Sequence, residues 1–175
     1  MQLWGENVTD SEIHSALVRW LKNATGLTTI KGEQSGPAPS HPYCMVNMTG
    51  VAEVRIHPQN IIWERHEDAE EGESQRSTAT PVIETEWRFS VHVYGDDPTT
   101  YLRKLRSHVH LAQANEPLMP GLIIHEISQV RDVPDFNNVS WEPRAQMDLY
   151  LRGLTKDGVL VDTIETYRLE ISWAD

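Results

Sequence analysis

Residues 85–94 read Thr85, Glu86, Trp87, Arg88, Phe89, Ser90, Val91, His92, Val93 and Tyr94, and this stretch decides the fold. Thr85, Trp87, Phe89, Val91 and Val93 alternate with Glu86, Arg88, Ser90, His92 and Tyr94. Successive side chains of a strand point to opposite faces, so this is a half-buried strand with one apolar side. Gly95 ends it. Asp97 then stands at the cap position of a helix with Pro98 first inside it, and Leu102, Leu105, Val109 and Ala112 give that helix an apolar stripe. Asn115, Pro117, Pro120 and Gly121 close the helix.

Further on, a strand is expected from Leu122 to about Val130, followed by a loop over Pro134, Asp135, Phe136, Asn137 and Asn138. Ala145, Met147, Leu149 and Leu151 alternate in one late strand, and Tyr167, Leu169, Ile171 and Trp173 alternate in the last. Lys156, Asp157 and Gly158 stand between them. Asp-Gly is a strong turn signal, so the two are expected to pair as an antiparallel hairpin.

Toward the N-terminus, Ile13, Ala16, Leu17, Trp20, Leu21 and Ala24 recur at helical spacing and predict a helix from about Ser11 to Thr25. Thr9 and Glu12 form a capping-box pattern at its start and Gly26 is placed to end it. A short strand, Leu27 to Ile30, leads into a loop marked by Gly36, Pro37, Pro39 and Pro42, after which the chain runs extended from Tyr43 to about Val54. Between Ile62 and Thr80 the composition turns to Glu64, Arg65, Glu67, Asp68, Glu70, Glu71, Glu73, Gln75 and Arg76. With Ile61, Ile62 and Trp63 before it and Pro81, Val82 and Ile83 after it, this is read as an exposed loop at the tip of a long hairpin. The expected fold is α+β: a mainly antiparallel sheet, two helices packed on one face, and a long acidic hairpin loop, in a single domain spanning 1–175.

The chain has 175 residues, enough for one ordinary domain with its own core. Its formal charge of -11 argues against a surface made to neutralise nucleic-acid phosphates. The single cysteine, Cys44, lies in an apolar strand-like run and is read as a structural thiol. No run of about 18 apolar residues and no basic-then-apolar N-terminus is found, so neither a membrane span nor a signal peptide is expected.

Chemistry-bearing motifs are missing: no Gly-rich phosphate loop, no Cys-x-x-Cys, no His-Glu-x-x-His, no Gly-x-Ser-x-Gly. His108 and His110 are two apart, which on a helix separates them by about 200° and keeps them from one metal ion. The acidic stretch lacks the ligand spacing and the placed glycine of a calcium loop and reads as a solvated face. No catalytic residue, metal or cofactor is therefore expected. Trp20, Trp87 and Trp173 fall in phase with core stripes, whereas Trp4, Trp63 and Trp141 do not, and these three are candidates for contacts between subunits. Glu67, Asp68, Glu70 and Glu71 of the acidic loop are further contact candidates. Arg144 is another, either holding the loop before its strand through Glu142 or Asp148 or standing exposed on the strand.

The order of these pieces resembles the neck or tail terminator family of tailed bacteriophages. The likeness lies in the helix ending Leu21, Lys22, Asn23, Ala24, Thr25, Gly26, the proline-rich stretch Pro37 to Pro42, and the strand Tyr43, Cys44, Met45, Val46. It continues through the middle strand and the helix Tyr101 to Ala114. It is strongest over Asn138, Val139, Ser140, Trp141, Glu142, Pro143, Arg144, Ala145, Gln146, Met147, Asp148 and Leu149. The resemblance implies a structural virion protein that is not an enzyme: a subunit of a ring, usually a hexamer, seated on the last ring of the tail tube. Its partners would be copies of itself, the major tail tube protein and a head-completion or connector protein. Genomic DNA would pass without specific binding and no membrane would be involved. Such a ring belongs to the neck of the virion and is assembled in the host cytoplasm. Rival readings are another connector, head-completion or tail-tube subunit and, from a different class, a small enzyme or ligand-binding domain.

Overall fold

The computed structural model describes residues 8–65, 76–111, 118, 120–136 and 139–162. Its first element is helix α1 (Asp10–Thr25), one residue longer at its start than expected. The capping box is formed: the Glu12 backbone N–H donates to Thr9 Oγ1, and the Glu12 carboxylate accepts from the Thr9 backbone N–H at 2.8 Å. Gly26 closes the helix with a left-handed backbone (φ 71°) that a side chain would strain.

Strands β1 (Thr28–Lys31), β2 (Tyr43–Glu53), β3 (Asn60–Arg65) and β4 (Arg76–Tyr94) follow, then helix α2 (Pro98–Val109). Asp97 occupies the cap position of α2, but its side chain makes no capping hydrogen bond; its backbone oxygen accepts from the Thr100 N–H instead. Strands β5 (Ile123–Ile127), β6 (Arg131–Asp132), β7 (Asp135–Phe136), β8 (Trp141–Glu142), β9 (Arg144–Lys156) and β10 (Val159–Asp162) complete the described chain. The main sheet is ordered β1-β2-β4-β9-β5, antiparallel except for the β1–β2 pair. β7 and β8 form a separate two-stranded ribbon.

Alternation in β4 places Trp87, Phe89, Val91 and Val93 on one face, joined across the ladder by Cys44 and Val46 of β2 and by Ala145, Met147, Leu149 and Leu151 of β9. Ile13, Leu17, Trp20 and Leu21 of α1 and Leu102 and Leu105 of α2 close over that face, so both helices lie on the same side of the sheet. Burying a large apolar side chain contributes roughly 1.5–3 kcal/mol. This cluster is the main source of stability.

β4 outruns its core. Its 19 residues span about 60 Å, whereas a compact chain of this length has a radius of gyration of only about 16 Å. The half of β4 from Thr85 to Tyr94 is paired by β2 on one side and β9 on the other. The half from Arg76 to Val82 is paired instead by β3 and β10. The result is a three-stranded arm continuous with the sheet. Strand structure reaches Arg65 and resumes at Arg76, both inside the 62–80 stretch expected as loop. Glu67, Asp68, Glu70 and Glu71 lie outside the described residues, as do Trp4, Ala112, Tyr167, Leu169, Ile171 and Trp173.

Asp157 and Gly158 do not reverse the chain. Lys156 lies opposite Val82 and Val159 opposite Ala79, so β10 carries on the register of β9 along the same edge of β4. The interruption falls opposite Pro81, which has no N–H to give to the ladder. Gly158 passes close to that neighbour strand: a Cβ there would come within 2.9 Å of Thr78 Cγ2 and of Thr80 Oγ1. The dipeptide allows a close approach rather than a turn.

Candidate assembly surfaces

The side of the arm that is continuous with the helix-covered face carries Ile61 and Trp63 of β3, Ala79 and Pro81 of β4, and Val159 of β10, directly opposite one another across the ladders. On the main sheet the helices shield this side. Along the arm no described helix does, and Trp63 remains 60% exposed and Val159 61%. The reverse side of the arm adds Leu160 and Ile62 around the buried Val82. Among the described residues no strand pairs with the outer side of β3 or of β10, the geometry that accepts a further strand.

A second apolar feature is the β7–β8 ribbon. Phe136 and Trp141 face each other across it, ring centroids 5.3 Å apart, and both project into solvent, Trp141 at 68%. Arg144 anchors this ribbon to the sheet. Its Nε donates to the Val133 carbonyl and its guanidinium to Asp135 Oδ2, each at 3.0 Å, and it lies 5.9 Å from the Tyr94 ring centroid. The arginine thus holds the loop before its strand, but through Asp135: Glu142 contacts His41 and Asp148 is taken by Arg131. Beside it Tyr43 and Tyr94 stack at 4.8 Å with nearly parallel rings, and burial raises the Tyr43 hydroxyl above the ordinary tyrosine range.

The face of the main sheet turned away from the helices is polar and internally paired. Gln146 donates to Ser90 Oγ at 2.7 Å, and Ser90 donates to Asp148 Oδ1 at 2.9 Å. Arg152 holds Glu86 through two hydrogen bonds of 3.0 Å and Arg88 adds a third at 3.1 Å. Burial raises the Glu86 carboxyl, but these guanidiniums outweigh it and leave the group below the usual carboxylate range. His92 is held below the ordinary histidine range by burial first and by Arg144 next, with Asp148 opposing. Its Nδ1 has no hydrogen-bond partner among the described residues.

Nothing in this arrangement is poised for covalent chemistry. Cys44 is buried in the core, and burial pushes its thiol up to about 12, far from a reactive thiolate. Among the described residues no three metal-ligating side chains converge. His108 packs edge-on to Trp20, 6.4 Å between ring centroids, while His110 follows the helix end. No helix among the described residues is long and apolar enough to cross a membrane.

Of the expected contact residues, the structure exposes Trp63 on the arm and Trp141 on the ribbon and ties Arg144 into its own chain. It does not bring Trp63 and Trp141 together on one element. Missed by sequence reasoning were Phe136, read as loop, and Val159 and Leu160, which follow a supposed turn. An aromatic five residues before Trp141 without an intervening helix was the available signal for the ribbon's other half, since Phe136 is placed to pair with it.

The sequence model of a family described as phage neck terminator protein matches residues 11–174, nearly the whole chain. None of the curated proteins compared with the chain matches it.

Proposed function

The chain belongs to the phage neck terminator family, a structural neck component of the virion rather than an enzyme, and from that premise we propose that it forms the ring that caps the tail tube. In this reading copies of the chain, six in the usual arrangement of such rings, close on the last ring of tube subunits. They end tail growth and present their outer surface to a head-completion or connector protein. The observation that carries the proposal is the arm: Ile61, Trp63, Val159 and Leu160 stand exposed on a sheet extension whose outer strands, among the described residues, have no further strand beside them, a cost in solvated apolar surface that assembly removes. A heterologous contact, arm of one copy on the body of the next, closes a ring when its rotation suits. A net charge of -11 per copy supports passage of genomic DNA without retention.

The test is to add the purified chain to polymerising tail-tube subunits and to measure tube lengths and end occupancy by electron microscopy, with native mass spectrometry of the free chain alongside. Shorter tubes with one ring at the growing end support the reading. A chain that leaves tube length unchanged and binds empty heads instead would move it to the head side of the neck.

A further inference from the structure

β10 runs outward along the arm. Val159 lies opposite Ala79 and Asp162 opposite Arg76, where β4 begins, so the chain leaves Asp162 at the arm's far end, heading away from the core. Residues 163–175 follow, outside the described region, and their sequence keeps the phase of β10. Val159 and Val161 are odd-numbered, and so are Tyr167, Leu169, Ile171 and Trp173, set against Thr166, Arg168, Glu170 and Ser172. Alternation with period 2 is the sequence of a strand with one apolar face. Fully extended, such a segment reaches about 43 Å, well over the radius of gyration of about 16 Å for a compact chain of this length.

An apolar strand without a neighbour is not stable in water, and the segment is poorly placed to use the edges of its own arm. Turning back beside β10 needs a tight reversal directly after Asp162. Thr163, Ile164, Glu165 and Thr166 include none of the Gly, Asn, Asp or Pro that such turns favour. Reaching the outer side of its own β3 means crossing the connection from Arg65 to Arg76, which joins β3 to β4 at the same end of the sheet. Connections at one end of a sheet avoid such crossings. β3 of another copy presents neither obstacle. Its outer side has no strand beside it among the described residues, and Ile61 and Trp63 stand exposed on it, on the side continuous with the core.

We propose that Tyr167–Trp173 of one copy adds as a strand to the outer side of β3 of a second copy. The inference rests on the ring reading above and names the contact that closes it. Antiparallel addition with Leu169 opposite Trp63 also sets Ile171 opposite Ile61 and Tyr167 opposite Arg65, all on one face. On the other face it sets Arg168 opposite Glu64, an opposite-charge pair across the strands. A slip of one residue would turn the apolar side of the segment away from Ile61 and Trp63. Donor and acceptor are different strands, so the contact is heterologous, the kind that closes into rings.

The test is disulfide trapping in the full chain carrying Glu64→Cys and Arg168→Cys, oxidised with glutathione disulfide while it assembles on polymerising tail-tube subunits, with native mass spectrometry of L169D/I171D alongside. Cys44 is buried and its thiol is pushed up to about 12, which keeps it out of the exchange. A non-reducing gel should show ladders of covalently linked copies, whereas either single substitution can link two copies at most. The paired aspartates should weaken self-association by about tenfold or more, with unchanged circular dichroism. A link that forms within one copy, leaving the covalent mass at that of a monomer, shows that the segment covers its own arm and overturns the proposal. Rings that form without any link and persist undiminished in L169D/I171D overturn it too, while leaving the ring reading intact. A wild-type chain that forms no ring, free or on tail tubes, overturns both. Where L169D/I171D fails to fold, the trapping result decides alone.

Discussion

Trp87 donates its indole Nε1–H to Asp10 Oδ1 at 2.7 Å, which ties the middle of the longest strand to the first turn of α1. The ring itself is buried, 1% exposed, while the carboxylate that satisfies it reaches in from the rim. Replacing Asp10 with Ala leaves a buried N–H without its partner and removes an acid from a helix start. We expect a loss of about 1–3 kcal/mol in urea unfolding. Asp10→Asn, which keeps the acceptor, should recover most of it; equal losses in both variants would show that the hydrogen bond is not the cause.

Stability should fall on acidification, and histidine should act first. His14 is lowered by burial, opposed by its hydrogen bond with the Val46 carbonyl, and His92 is lowered by burial and by Arg144. The folded chain holds both imidazoles neutral, so the unfolded chain binds protons more readily. Their contribution is fully present above a pH of about 6.5 and is lost as the pH falls below it. Glu86 and Glu12, both lowered, add a second loss below a pH of about 4.5. Thermal midpoints from pH 8 to pH 5 should decline, and the double variant His14→Gln, His92→Gln should flatten that decline. A midpoint that rises on acidification would contradict the assignment.

Trp63→Ser and Trp141→Ser should separate folding from assembly. Both side chains lie mostly in solvent, so each substitution should change unfolding free energy by no more than about 0.5 kcal/mol. If either anchors a subunit contact, its loss should weaken self-association or tube binding by about thirtyfold, the effect of a central aromatic at an interface. Losing both with no change in assembly would remove the arm and the ribbon from the contact.

Gly158→Val should destabilise the arm. The added atoms meet Thr78 and Thr80, whose branched side chains have little room to turn, at a cost of about 1–3 kcal/mol. Amide hydrogen exchange should accelerate in Asn60–Arg65 and Val159–Asp162 and stay unchanged in Phe89–Val93. Uniform acceleration over both regions would mean that arm and core do not open separately.

The core was legible because its signals are local. Trp87 to Val93 and Ala145 to Leu151 alternate strictly, and α1 announces itself by Thr9, Glu12 and Gly26, so each element's buried face follows from spacing alone. The arm was half legible. Ile61 to Trp63 and Pro81 to Ile83 marked a hairpin, but the charges at Glu64, Arg65 and Arg76 hid strand structure, because edge strands far from a core tolerate polar residues on both faces. Asp157-Gly158 misled for a tertiary reason: the chain reversal it favours in isolation is overruled by a neighbouring strand already in register on both sides of it. Arg144 showed that a strand-start arginine reaches back to its preceding loop, but choosing Asp135 over Glu142 needed the positions of His41 and Arg131, which only the fold supplies.

The register that runs without a slip from Arg144 to Asp162 along β4 makes the arm and the core one piece of sheet. A pull along the arm loads its backbone hydrogen bonds side by side, in shear, rather than one after another as in unzipping. Tension applied at the far end is thereby shared across the whole ladder and delivered to Trp87 and, through Asp10, to α1. A subunit gripped by its arm would transmit load without a hinge.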